Sequence, residues 1–168
     1  AYSTSMTGNS DFIIAKFSPD LSTLIASTYL SDGDISDNWQ VDLMIDDSGD
    51  VIVLANANPQ DITLSLKQHD SNDATAIFIA KFSPDLSTLK GSAVIGGSSS
   101  DSSTSLEIDQ QGNIIVAGLT QSSDFPTTPN AYDTTHAGSY EAVLAKFSPD
   151  LSTLIASTYL GGTDYDRA

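Results

Sequence analysis

Asp32, Asp34 and Asp37 fall together in the run SDGDISDN. Carboxylate oxygens grouped this closely are hard ligands of the kind Ca²⁺ takes. The glycine and the bidentate glutamate of an EF-hand loop are missing. The run therefore reads as a solvated acidic loop, and Ca²⁺ is the one cofactor it could recruit. Asp46, Asp47 and Asp50 are expected to shape a turn. Two histidines, His69 and His136, stand in connecting segments about one repeat apart. Neither has a serine, cysteine or second histidine placed by a motif, and a lone imidazole needs oriented partners to act as a base. Trp39 and Tyr140 lie in or beside loops and could stack on a sugar, although aromatics more often pack against neighbouring structure. There is no HExxH and no glycine-rich phosphate loop. These residue types predict no catalytic centre. Trp39, His69, Asp101, Asp124, His136 and Tyr140 remain as candidates for a binding face.

Charge narrows the partners. The chain carries 22 acidic and 6 basic residues, a net charge of −16, which repels phosphate backbones and anionic lipid headgroups. Nucleic acid is therefore not an expected partner. No apolar run reaches the ~18 residues of a membrane helix, so insertion is not expected either. Hydrophobic residues make up 39% of the chain, enough to build a core. The absence of cysteine rules out disulfides and thiolate metal sites. Ser, Thr, Asn and Asp fill the gaps between apolar runs, a texture that suits secreted proteins. No segment with the character of a signal peptide opens the chain, so a targeting segment is expected outside these residues.

The elements that must position these residues are repeated. AKFSPDLSTLIASTYL runs from Ala15 to Leu30 and recurs letter for letter from Ala145 to Leu160; its first ten residues appear again from Ala80 to Leu89. Phe17, Phe82 and Phe147 are spaced by 65 residues. Between the copies lie IDDSGDVIVLA (Ile45 to Ala55) and IDQQGNIIVAG (Ile108 to Gly118), which are 63 apart. Each element predicts a β-hairpin. Pro19 pre-sets φ for one turn, flanked by Ser18 and Asp20, which can bond nearby backbone. Gly49 and Gly112 supply the positive φ of the other. Runs such as FIIA, VIVLA and IIVAG are apolar on both faces, so these strands belong in stacked sheets. The prediction is an all-β chain of four-stranded antiparallel sheets packed as β-propeller blades; a β-solenoid ranks second.

The phrase DFPTTPNAYDTTHAGSYEAVLAKFSPDLSTLIASTYLGG (Asp124 to Gly162), with the IDQQGNIIVAG hairpin, resembles the SBBP-type β-propeller repeat of bacterial and archaeal surface and secreted proteins. The first repeat departs from it: Ser31 and Asp32 replace GG, and Asn56 to Gln68 replaces the FPTTP connection. The resemblance implies a fold and an extracellular or cell-surface address, without shared catalytic residues. It also implies strand order A, B, C, D in each blade. Residues 1–38 then supply an outer hairpin, 39–103 a second blade, 104–166 a third, and 167–168 the start of another. That makes about two and a half blades in a single repeat region. Closed propellers need at least about four, so further blades of the same polypeptide, or neighbouring chains, are expected to complete the ring.

In this arrangement the short, uniform A–B and C–D turns share one face. The long, dissimilar connections Ser31 to Gln40, Asn56 to Thr75, Gly96 to Ser103, Thr120 to Tyr140 and Gly161 onward share the other. Function tends to sit on variable loops of a rigid scaffold. The sequence therefore predicts a non-enzymatic surface module that binds protein or glycan partners through the long-loop face. The alternative is a structural spacer or component of a surface layer or filament. An enzyme with a site at the propeller axis ranks third, because one arginine and five lysines leave little for convergent chemistry.

Overall fold

The computed structural model describes residues 1, 3–5, 12–30, 41–57, 66–68 and 75–166. These form eleven strands and no helix: β1 (Phe12–Phe17), β2 (Leu24–Leu30), β3 (Val41–Ile45), β4 (Val51–Ala57), β5 (Leu66–Gln68), β6 (Ala76–Phe82), β7 (Leu89–Ile95), β8 (Asp101–Ile108), β9 (Ile114–Thr120), β10 (Glu141–Phe147) and β11 (Leu154–Leu160). They make three sheets. The first is the β1–β2 hairpin. The second is the antiparallel array β3-β4-β6-β7, and the third is β8-β9-β10-β11. The all-β class and the antiparallel pairing follow the sequence expectation. β5 does not: it falls in the stretch read as a long connection, and pairs in parallel with the outer edge of β7.

The repeated letters fold alike. Phe17, Phe82 and Phe147 pair with Leu24, Leu89 and Leu154, each one residue after the same register shift. The SPDL turn closes with a backbone bond from Leu21, Leu86 and Leu151 to the carbonyls of Ser18, Ser83 and Ser148. Those leucines, not glycines, take the left-handed position, with φ of 58°, 56° and 59°. This conformation is costly for a side chain bearing Cβ. Leu86 and Leu151 offset the cost by burying their side chains completely, worth roughly 1.5–3 kcal/mol each. Gly49 and Gly112 hold φ of 79° and 80°, as the DSGD and DQQGN turns require.

The sheets stack face to face around two cores. Ile14 and Leu30 of the first sheet meet Val53, Phe78, Phe82 and Val94 of the second. Ile52, Leu54, Ile77 and Ile79 on the second sheet's other face meet Val116, Val143, Phe147 and Tyr159 of the third. The second sheet is thus covered on both sides, which explains why every residue of β6 is buried. Lys16 Nζ donates to the carbonyl of Pro84 at 3.0 Å, and Lys81 Nζ donates to that of Pro149, also at 3.0 Å. Both bonds span 68 residues, so the two junctions share one geometry. β8 is an edge strand, but its backbone is tied to the second sheet. Ser103 N–H donates to Asn56 Oδ1 at 2.8 Å, and Leu106 N–H to Asp42 Oδ2 at 3.1 Å.

Candidate functional site

Two sides of the stack carry polar chemistry. On the short-turn side, Lys81 Nζ lies 2.7 Å from Asp46 Oδ2 and 3.5 Å from Asp50 Oδ2. Lys90 pairs with Asp50 at 2.7 Å, and Lys146 with Asp109 at 2.6 Å. Burial pushes the Asp46 carboxyl up, but the Lys81 bond and the N–H groups of Asp50 and Ser48 outweigh it and hold it below the usual range. Lys146, then Asn113, hold Asp109 well below that range too. These charges clamp the β3–β4 turn to β6 and β7, and the β8–β9 turn to β10. Pro84 packs against Gly49, and Pro149 against Gly112.

On the side of the long connections, Asp101 begins β8 and is buried. The sequence reads Gly96 to Ser103 as a connection; in the structure Asp101, Ser102 and Ser103 are paired strand. Asp101 Oδ2 accepts from Gly97 N–H at 2.7 Å and from the Ser122 hydroxyl at 3.1 Å, while Oδ1 accepts from the Thr120 hydroxyl. Burial pushes this carboxyl up to about 6, with the nearby Asp124 charge adding to the rise and the three donors opposing it. Asp124 is exposed, and its Oδ1 accepts from Ser98 N–H at 2.8 Å and from the Ser98 hydroxyl at 2.9 Å. Asp101 and Asp124 together pin the 96–100 connection to the 121–124 segment.

His136 and Tyr140 lie further along the same connection. His136 Nε2 is 3.9 Å from Glu141 Oε2, and its ring meets Tyr159 edge-on with centroids 5.7 Å apart. Glu141 is fully buried at the start of β10, and its Oε2 accepts from Ala137 N–H at 3.0 Å. Its Oε1 and the Nε2 of His136 are buried without a hydrogen-bond partner. Tyr159 OH donates to Ser122 C=O at 2.8 Å and accepts from Phe125 N–H at 2.9 Å; burial pushes its hydroxyl up to about 12. Tyr140 packs on Tyr165 with ring centroids 4.8 Å apart. The structure therefore brings His136 to Glu141 and Asp101 to the neighbourhood of Asp124; the two aspartates accept backbone N–H bonds, from Gly97 and Ser98.

Glu141 was not legible as a site residue, although a signal existed. It is one of two glutamates in the chain and enters an apolar strand, YEAVLA. In the second sheet Ala76 holds the equivalent position, 65 residues earlier, so the His136–Glu141 pair is particular to the third. Trp39, His69 and the Asp32, Asp34 and Asp37 cluster lie outside the described residues. Among the described residues, no three histidine or acidic side chains converge as metal ligands. No family model matches the chain, and no curated protein matches it.

Proposed function

We propose that this chain is a non-enzymatic structural module of an extracellular or cell-surface protein, its three sheets being successive blades of an SBBP-like β-propeller. The observation that carries the reading is the repetition of one junction. The Lys16–Pro84 and Lys81–Pro149 bonds recur at the same separation, as stacked blades of a repeat protein require. In the long connections Asp101, Asp124 and Tyr159 bond to backbone and fix those connections, which suits a scaffold. The surface address is supported by the Ser-, Thr- and Asp-rich texture, the strong negative charge and the resemblance of the repeat.

A second reading is a module that binds a protein or glycan through the long-loop side. Tyr132, on the connection from Thr120 to Tyr140, favours it: this side chain is 86% exposed and, with Ile115, Leu144 and Ile155 on the open face of the third sheet, lines a groove of about 420 Å³, where an aromatic face could stack on a sugar. Arrays of polysaccharides and surface proteins, read for both retention and turnover, separate the readings. The expected outcome is neither turnover nor any retention that Tyr132→Ala removes. Saturable retention lost in Tyr132→Ala would establish the second reading. Turnover abolished by Glu141→Gln would overturn both.

A further inference from the structure

We infer that His136 and Glu141 form a proton-operated clasp on the 134–140 connection, closed when the imidazole carries a proton on both nitrogens and open when it does not. The warrant is two buried polar groups that stand side by side without a bond. Glu141 is 0% exposed, and among the described residues its Oε1 has no hydrogen-bond partner. The side chain of His136 is 12% exposed, and its Nε2 has no such partner either. Nε2 lies 3.9 Å from Glu141 Oε2, beyond hydrogen-bond reach but within a small ring movement of it. A buried carboxylate is costly unless a counter-charge meets it.

The protonation state of the imidazole decides what Glu141 meets. With Nε2 bare, a lone pair faces the carboxylate; with both nitrogens protonated, an N–H and a positive charge face it. Histidine is the side-chain type that changes charge between about pH 5 and 8, and the exposed edge of this ring gives the proton a way in. The other ionisable groups around the pair are acids. Tyr159 on β11 meets the ring edge-on, and the charges of Asp101, Asp124 and Glu141 all act on its hydroxyl. Asp166 Oδ2 and Glu141 Cγ both lie against Gly161. On the connection itself, Asp133 accepts from Thr135 N–H. None of these groups is basic, so the imidazole is the counter-charge that Glu141 can draw from them.

What the clasp holds is local. Segment 128–133 is fixed by backbone bonds to β11, from Thr128 N–H to Ser157 C=O and from Tyr159 N–H to Asp133 C=O, each 3.1 Å. Beyond it, Ala137 N–H donates to Glu141 Oε2 at 3.0 Å. Gly138 lies so close to the carbonyls of Asp164 and Gly162 that a side chain there would strike both, and Asp166 N–H donates to Tyr140 C=O at 3.1 Å. Loss of the imidazolium therefore loosens segments 134–140 and 161–166 together and leaves 128–133 in place.

The test is residue-resolved amide hydrogen exchange of the 168-residue chain from about pH 5 to 8, expressed as protection factors so that the intrinsic pH dependence of exchange is removed. As pH rises, the Ala137 and Asp166 amides should lose protection by about tenfold or more, the scale of a shielded charge pair. The Thr128 and Tyr159 amides should keep theirs. The loss should persist in Asp101→Asn, which removes the other buried carboxyl that titrates near this range. It should be absent from His136→Gln, whose amide can donate but takes no proton. In the wild-type chain, which needs no variant to fold, the His136 ring resonances should titrate in step with the Ala137 amide shift. Protection at Ala137 and Asp166 that stays flat with pH, or a fall shared equally by Thr128 and Tyr159, would overturn the inference. So would a fall that survives in His136→Gln or disappears in Asp101→Asn, or a His136 titration out of step with Ala137.

Discussion

The Nζ of Lys81 lies 3.0 Å from the carbonyl oxygen of Pro149 in the neighbouring sheet, and this contact joins two sheets through a charge that is nearly buried. The same nitrogen holds Asp46 and Asp50 in its own sheet. Removing it leaves two shielded carboxylates short of a partner, though Asp46 keeps the N–H groups of Ser48 and Asp50 and Asp50 keeps Lys90. Lys81→Met should therefore lower stability by about 2–4 kcal/mol. Lys16→Met removes the equivalent but exposed bond and should cost below about 1 kcal/mol. Urea unfolding of the two variants checks the contrast; equal losses would mean that the junction bond is not what shielding strengthens.

The left-handed leucines give a second contrast within one turn sequence. Leu86 and Leu151 are fully buried while Leu21 is exposed, yet all three have the same backbone. Leu86→Ala should cost about 2–5 kcal/mol through the cavity it leaves. Leu21→Ala should change stability by less than about 0.5 kcal/mol. Denaturation midpoints at constant slope would show it.

The hairpins were legible in the sequence because repetition and turn chemistry agree there. FIIAKF and VIVLA are short apolar runs, and Gly49 and Gly112 sit where a tight turn needs positive φ. Leu21, Leu86 and Leu151 were not legible as left-handed residues, since leucine carries no turn signal; the bonds to the carbonyls of Ser18, Ser83 and Ser148 close the turn in all three, and burial in a core supports only Leu86 and Leu151. The start of β8 was missed because DSS reads as loop. Its polar side chains are satisfied by partners far away in sequence, among them Thr120, Ser122 and Asn56. The pairing of segment 128–133 with β11 was hidden too, as was its echo in the first sheet. Ser3 C=O accepts from Tyr29 N–H as Asp133 C=O accepts from Tyr159 N–H.

Tyr159 offers a test of the long-connection side. Its hydroxyl satisfies a buried N–H of Phe125 and a carbonyl of Ser122. Tyr159→Phe leaves both short of a partner, at an expected cost of about 1–3 kcal/mol. In the wild-type chain, absorbance titration at alkaline pH should show one tyrosine ionising near 12. That late step should be absent from the variant.

Asp101 should give the chain a stability that falls as pH rises from about 4 to about 6. Its carboxyl is pushed up to about 6 in the folded protein, against an ordinary value near 3.8 when the chain is unfolded. Between these values the folded state holds a proton that the unfolded state has released, so raising the pH favours unfolding. Because the side chain is buried, the loss across the window is on the order of 3 kcal/mol. The turn aspartates act in the opposite sense. The Ser18, Ser83 and Ser148 hydroxyls, then those of Ser22, Ser87 and Ser152, hold Asp20, Asp85 and Asp150 down to about 2. Their contribution is present above the ordinary carboxyl value and is lost as pH falls toward 2. Stability should therefore peak near pH 4. General repulsion within a chain of net charge −16 also grows as carboxylates ionise, so the slope must be assigned by difference. In Asp101→Asn the amide keeps hydrogen-bonding capacity toward Thr120, Ser122 and Gly97 but cannot ionise. Urea midpoints from pH 3 to 7 should show the wild-type chain losing stability between pH 4 and 6 more steeply than Asp101→Asn. Parallel curves for the two proteins would remove Asp101 as the cause.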